Sequence, residues 1–127
     1  MKMGIAASRS ERVFKTAWFS KAARKTHITD GELCLAIQQV MLGQADDLGG
    51  GVWKKRLGRN LYRSIILARG GPYWVYEYLF AKRDRANIDD EELADFRLLA
   101  KSYETLTEKQ VDELLRNKSW MEICDEE

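Results

Sequence analysis

The sequence predicts an α+β protein: a small antiparallel sheet, made of an N-terminal strand plus a three-stranded meander, packed by an N-terminal helical hairpin and by C-terminal helices. Three observations carry this. The apolar pattern changes from helical spacing to extended segments at Gly49-Gly50-Gly51. The extended segments that follow are joined by Gly58-Arg59-Asn60 and Gly70-Gly71-Pro72, joins too short for anything but antiparallel hairpins. Helix-start signatures of the capping-box type stand at Thr29-Asp30-Gly31-Glu32 and Thr107-Glu108-Lys109-Gln110. A chain of 127 residues, 45% apolar and 10% aromatic, has the material for one buried core.

Taken in order, residues 1–11 are small and polar and read as a loose leader, with residues 12–127 expected to form one domain; a start at Met3 in place of Met1 is also open on the sequence. Arg12 to Thr16 reads as a short strand. Trp18, Phe19, Ala22 and Ala23 recur at helical spacing. Behind Thr29, the stripe Leu33, Ile37, Val40 and Met41 predicts a helix from about 30 to 43. Candidate strands are Val52–Leu57, Leu61–Arg69 and Tyr73–Phe80, the last rich in residues that suit a pleated surface. Asp89-Asp90-Glu91-Glu92 places acids in a first helical turn, where they favour the helix dipole, and Leu93, Phe96, Leu99, Ala100 and Tyr103 follow at helical spacing. Val111, Leu114 and Leu115 make a last helix, and Trp120–Ile123 a short edge strand.

No apolar run approaches the roughly 20 residues a membrane helix needs, and Met1–Arg12 lacks the apolar stretch of a signal peptide, so a cytoplasmic protein is expected. Cys34 and Cys124 form no CxxC pair, which speaks against a zinc module and against a disulfide scaffold. Cys34, beside an apolar stripe, is expected as a small core residue. His27, the one histidine, has no partner that would give it a catalytic role. Gly49–Gly51 lacks the GK[ST] ending of a phosphate loop and reads as a flexible connector. Met41 and the helix aromatics are expected in the core.

The net charge of +1 hides strong patterning. Residues 1–27 carry +6, 28–51 carry −4, 52–85 carry +7 and 86–127 carry −8. A basic centre of this kind suits a phosphate-bearing partner. Residues two apart on a strand share a face. Lys54 and Arg56 therefore point away from Trp53, Lys55 and Leu57, and Trp53 and Leu57 are expected against the core helices. Cross-strand pairing brings Arg63 to the face of Lys54 and Arg56. Arg59 stands at the hairpin tip, and Lys82-Arg83-Asp84-Arg85 fills a loop at the end of the third strand. Glu77 and Asp84 are the acids available to pair such a patch. Clustered cations of this kind await an anion, and nucleic-acid phosphate fits the planar fork of arginine. Of the interleaved aromatics, most are expected inside, with Tyr62 on the open face or its rim.

The segments Gly50-Gly51-Val52-Trp53-Lys54-Lys55-Arg56, Leu61-Tyr62-Arg63 and Phe80-Ala81-Lys82-Arg83-Asp84-Arg85-Ala86-Asn87-Ile88 resemble the RelE-like toxins of bacterial type II toxin–antitoxin systems, most closely a subgroup with a GGG-x-x-KKR strand and an FAK-x-x-RANI run. The resemblance covers about residues 12 to 123 and extends to the order of elements. It implies a RelE-like fold and ribosome-dependent cleavage of messenger RNA, without metal or cofactor, by attack of the RNA's own 2′-hydroxyl on the scissile phosphate. Such chemistry needs a base, a group that stabilises extra negative charge, and an acid for the leaving oxygen. With no acid on the predicted face, lysine is the available base; it needs its pKa lowered for this, which neighbouring cations can do. By resemblance, Lys54 and Arg56 match the family's two basic strand positions, with Lys54 the candidate base. Arg63 matches a transition-state clamp, Leu61 standing where the family has glycine. Arg83 matches the arginine assigned to charge stabilisation or leaving-group protonation, and Arg85 a supporting arginine. Lys55, Arg59, Tyr62, Tyr78 and Lys82 join Arg85 as candidate substrate contacts. Asp89 stands where some relatives carry a tyrosine that orients or stacks the RNA.

Two other functions remain open on the sequence: a ParE-like gyrase inhibitor of the same fold, and a binding module that uses the basic patch for phosphate contacts alone. A toxin implies a cognate antitoxin, of helix-turn-helix type by resemblance, beside the ribosome and messenger RNA as targets and with no membrane partner. An acidic antitoxin segment over the basic face, or exposed apolar groups at Trp120, Met121 and Ile123, would serve its docking.

Overall fold

A computed structural model describes residues 11–68 and 73–124; the Gly70-Gly71-Pro72 join and all but the last residue of the expected leader lie outside them. The strands are β1 (Arg12–Thr16), β2 (Asp46–Gly49), β3 (Val52–Leu57), β4 (Tyr62–Leu67), β5 (Tyr73–Ala81) and β6 (Trp120–Ile123). The helices are α1 (Ala17–Lys25), α2 (Asp30–Met41), α3 (Asp90–Glu104) and α4 (Glu108–Arg116). The α+β architecture expected from the sequence is present. Among the described residues, no helix is long and apolar enough to cross a membrane.

The six strands form one sheet in the order β2-β3-β4-β5-β1-β6. The meander β3-β4-β5 is antiparallel, as the short joins require. The sheet as a whole is mixed, because β1 runs parallel to β5, from Arg12↔Tyr73 to Lys15↔Tyr76. Everything from α1 to β4 lies between these two strands in sequence, enough chain for a parallel crossover. β2 is not expected from the sequence, since Asp46-Asp47-Leu48-Gly49 has low strand propensity. It pairs antiparallel with β3 through a turn in which Gly49, Gly50 and Gly51 all have positive φ. The expected connector is thus a tight turn, closed by the Gly49 N–H donating to Asp47 Oδ1 at 2.9 Å. The Arg97 guanidinium lies over it and donates to Leu48 O and Gly49 O.

Each helix starts where its cap dictates. Thr16, Thr29, Asp89 and Thr107 are N-caps, each accepting a backbone N–H three residues on. Asp89 with Glu92, and Thr107 with Gln110, form complete capping boxes. The sheet is covered on both faces. On one, α1 and α2 bury Phe19, Leu33, Ile37 and Val40 against Val13, Leu57, Ile66 and Tyr76. The buried Tyr76 hydroxyl donates to Leu33 O at 2.7 Å. On the other face, α3 packs on Val52, Ile65, Leu67 and Phe80, while Val111 of α4 packs with Phe14, Tyr73, Val75 and Trp120.

Three expectations about the core need correction. Trp18 is 52% exposed and Met41 39%, because each lies on the outward side of its helix. Cys34 does pack against the α1–α2 core, yet it is disulfide-bonded to Cys124. The fold brings together two cysteines 90 residues apart, so the bond pins the end of β6 to α2. Finally, Trp120 and Ile123 are buried, which leaves only half-buried Met121 and the outer backbone of β6 from the proposed apolar docking edge.

β5 contains a register shift opposite Ile65 and Ile66, where Glu77 is the extra residue. Its half-buried carboxylate accepts from the Tyr103 hydroxyl at 2.8 Å. Burial pushes the Glu77 carboxyl above its usual range, against the opposing effect of the Tyr103 hydrogen bond.

Two outcomes are expected. Under oxidising conditions Cys34→Ser lowers the thermal midpoint by roughly 10 °C, the effect of losing a long-range cross-link worth about 2–4 kcal/mol; in dithiothreitol the two proteins melt together. For Glu77, the unfolded chain releases its proton at lower pH than the folded one. Between those two pH values the folded state binds more protons, so this group's contribution to stability falls as pH rises. Glu77→Gln, which keeps an acceptor for Tyr103, is therefore expected to be more stable than wild type at pH 7 in urea titrations. The difference closes toward pH 4.

Candidate functional site: a cationic sheet face

The strand alternation read from the sequence holds in β3. Trp53 and Leu57 pack toward α1 and α2, while Val52 packs toward α3. Lys54 and Arg56 share Val52's face by the period of two. Arg56 is the register partner of Arg63, which is therefore on that face too. α3 covers the part of this face around Val52, Ile65 and Leu67. The cationic part lies toward the β3–β4 turn, where Arg56 is exposed and Lys54 and Arg63 are half-buried.

The local environment of each cation differs. Lys54 Nζ donates to Asn87 Oδ1 at 3.2 Å and lies 3.8 Å from Asp46 Oδ2. The expectation of a face without acids is thus corrected, because the unforeseen β2 places Asp46 in register with Lys54. Arg63 Nη1 donates to Asn60 O and Tyr62 O, both at 3.1 Å, which holds its guanidinium over the turn. Arg83 is 88% exposed and 3.9 Å from the Asp84 carboxylate. It follows Ala81, the register partner of Tyr62, so it stands at the strand end where Arg63 begins. Arg59 is exposed at the hairpin tip with positive φ, and Lys82 is exposed beyond β5.

Arg85 is not a free cation. Its guanidinium makes a two-pronged pair with the Glu92 carboxylate, Nη1 to Oε2 at 3.0 Å and Nη2 to Oε1. It also donates to Asn87 O and lies 5.6 Å from the centre of the Phe80 ring. The pair raises the arginine pKa further. It lowers that of Glu92, which the Asp89 N–H lowers as well. Asp89, where some relatives carry tyrosine, is the α3 N-cap, so Arg85, Glu92 and Asp89 together fix the start of α3 beside the cationic face.

Two substrate-contact candidates point away from the face of Lys54, Arg56 and Arg63. Lys55 is on the opposite face, where Nζ donates to Gln44 O at 3.0 Å. Burial lowers its pKa, with a contribution from Arg56. Tyr62 alternates with Arg63 and packs half-buried against the α1–α2 core, and it lines a groove shared with Tyr78, Arg83 and Arg85. Tyr78 is on the cationic side, packed with Phe80 and Phe96. Its ring stacks on Trp18 at 5.1 Å between centroids. Helical spacing alone does not show which side of a helix is covered, so it does not mark Trp18 as a surface residue. Its position before Lys21 and Lys25 on one stripe was the available signal.

The family model described as the RelE toxin of the RelE / RelB toxin-antitoxin system matches residues 11–123. The chain belongs to the RelE toxin family. No curated protein and no solved structure matches it. The chain is thus a toxin of a toxin–antitoxin system with a cognate antitoxin as partner. The match takes in every described strand and helix.

The turn that carries Arg59 depends on Gly58. At φ +59°, a Cβ here would sit 2.6 Å from Tyr62 Cδ2, and the Gly58 N–H donates to Glu32 Oε2 at 2.6 Å. Gly58→Ala is expected to cost at least about 1–2 kcal/mol in urea denaturation, the strain of a left-handed residue with a side chain.

Proposed function

We propose that this RelE-family toxin is an endoribonuclease that cuts messenger RNA on the ribosome, with residues 12–127 as its single functional domain. The observation that carries this is the placement of Lys54, Arg56 and Arg63 on one sheet face, with Arg83 at the adjoining strand end. Arginine forks match phosphate oxygens in pairs, and fixed cations stabilise charge that grows in a transition state.

In the proposed reaction the 2′-oxygen attacks the adjacent phosphorus. The new O2′–P bond forms as the P–O5′ bond breaks, which leaves a cyclic phosphate and a 5′-hydroxyl. Lys54 is the candidate base for the 2′-hydroxyl proton, and Asp46, 3.8 Å away, is the carboxylate that pairs with the ammonium Lys54 becomes. Arg56 and Arg63 stabilise the charge on the non-bridging oxygens. Arg83 supplies the proton or the positive charge needed by the departing O5′. Arg59, Lys82 and Tyr78 contact the RNA on either side. Arg85 acts chiefly as a positioning residue through Glu92. Work on translated message places the protein in the cytoplasm, and silencing falls to an antitoxin of helix-turn-helix type.

Induced expression of wild type, Arg63→Ala and Arg83→Ala, followed by primer extension on a reporter message, tests this. Cuts in translated message only, lost at least a hundredfold in each variant, are expected. Growth arrest with intact message would overturn the proposal and direct attention to gyrase.

A further inference from the structure

β1 pairs with β5 as far as Lys15↔Tyr76, and α1 begins two residues later. From Glu77 onward β5 therefore has α1, and not a strand, on the side away from β4. Between them runs a groove of about 620 Å³. Trp18, Lys21 and Lys25 line it from α1, a stripe at helical spacing. Tyr78, on which Trp18 stacks, lines it from β5, and Arg83 and Arg85 from the loop beyond. Lys21 and Lys25 are exposed, and neither has a carboxylate partner among the described residues. Trp18 rests one face on Tyr78 and leaves half its surface uncovered.

We propose that this groove is a nucleotide subsite, in which a base of the RNA chain stacks on Trp18 and the neighbouring phosphate binds between Lys21, Lys25 and Arg83. It rests on the nuclease reading for the identity of the chain, but not for the stacking itself. An indole stacked on a second ring and half exposed is a platform for any base. The surrounding cations suit phosphate, and the volume is in the range of small-ligand sites. Arg83 belongs both to this groove and to the candidate catalytic set, so a strand held here continues onto the sheet face. Stacking is stronger for the larger ring system, so the subsite favours purines.

The full-length chain is titrated at low salt with a labelled single-stranded RNA octamer, 2′-O-methylated so that it cannot be cut, and binding is followed by anisotropy and by tryptophan fluorescence. Trp18→Ala is expected to weaken binding about tenfold, the loss of one stacked base, while Trp18→Phe recovers most of it without fluorescence quenching. Lys21→Ala and Lys25→Ala are expected to weaken binding and to shrink the slope of log affinity against log salt by about 0.7 for each lost phosphate contact. Unchanged affinity and quenching across all four variants overturns the proposal. So does loss of antitoxin binding with RNA binding intact, which would make the groove a docking site for an acidic segment. Weakened octamer binding alongside a wild type that cuts no message would uphold the subsite and reject the nuclease. The converse, a cutting enzyme indifferent to Trp18, would reject the subsite alone.

Discussion

The cationic end of the molecule depends on the backbone ladder between β4 and β5 and on the one-residue shift within it. Strict alternation from buried Tyr76 would send Tyr78 and Phe80 into the α1–α2 core and Leu79 outward. The shift at Glu77 reverses this: Leu79 joins that core, while Tyr78 and Phe80 take the face of Lys54, Arg56 and Arg63. Phe80 then lies under Arg85, and Tyr78 meets Trp18. A single extra residue thus supplies the aromatic floor beside the cations, at the cost of a half-buried carboxylate that Tyr103 must satisfy.

The acidic segments serve the basic centre in specific ways. Asp46 stands by Lys54, and Glu92 both caps α3 and grips Arg85. These contacts leave Arg56 and Arg59 unpaired among the described residues, and Arg83 beside a carboxylate almost at the limit of an ion pair. Cations held close together repel one another, and a bound phosphate relieves that repulsion. The division between paired and unpaired cations therefore separates groups that shape the site from groups free to engage an anion.

Long-range ties hold the outer elements of the sheet. β6 is fixed to β1 by its ladder and by the Arg12–Glu122 pair, and the Cys34–Cys124 bond joins its end to α2. At the other edge, Arg97 of α3 clasps the β2–β3 turn. Chain segments distant in sequence thus meet at both edges, and the face between them is held in shape from each side.

The sequence by itself determined the local elements and the alternation of β3. Capping residues, short joins and apolar periodicity are local features, and Lys54, Arg56 and Arg63 could be placed on one face because side chains on a strand alternate whatever surrounds them. What only the tertiary structure decided involves partners distant in the chain. β2 exists because β3 offers it a ladder, not because Asp46-Asp47-Leu48-Gly49 favours a strand. Tyr62 packs against the α1–α2 core, Cys34 finds Cys124 and Arg85 finds Glu92 through packing that no local pattern encodes. Trp18 becomes a wall of a groove only because β1 ends early along β5 and a helix takes its place.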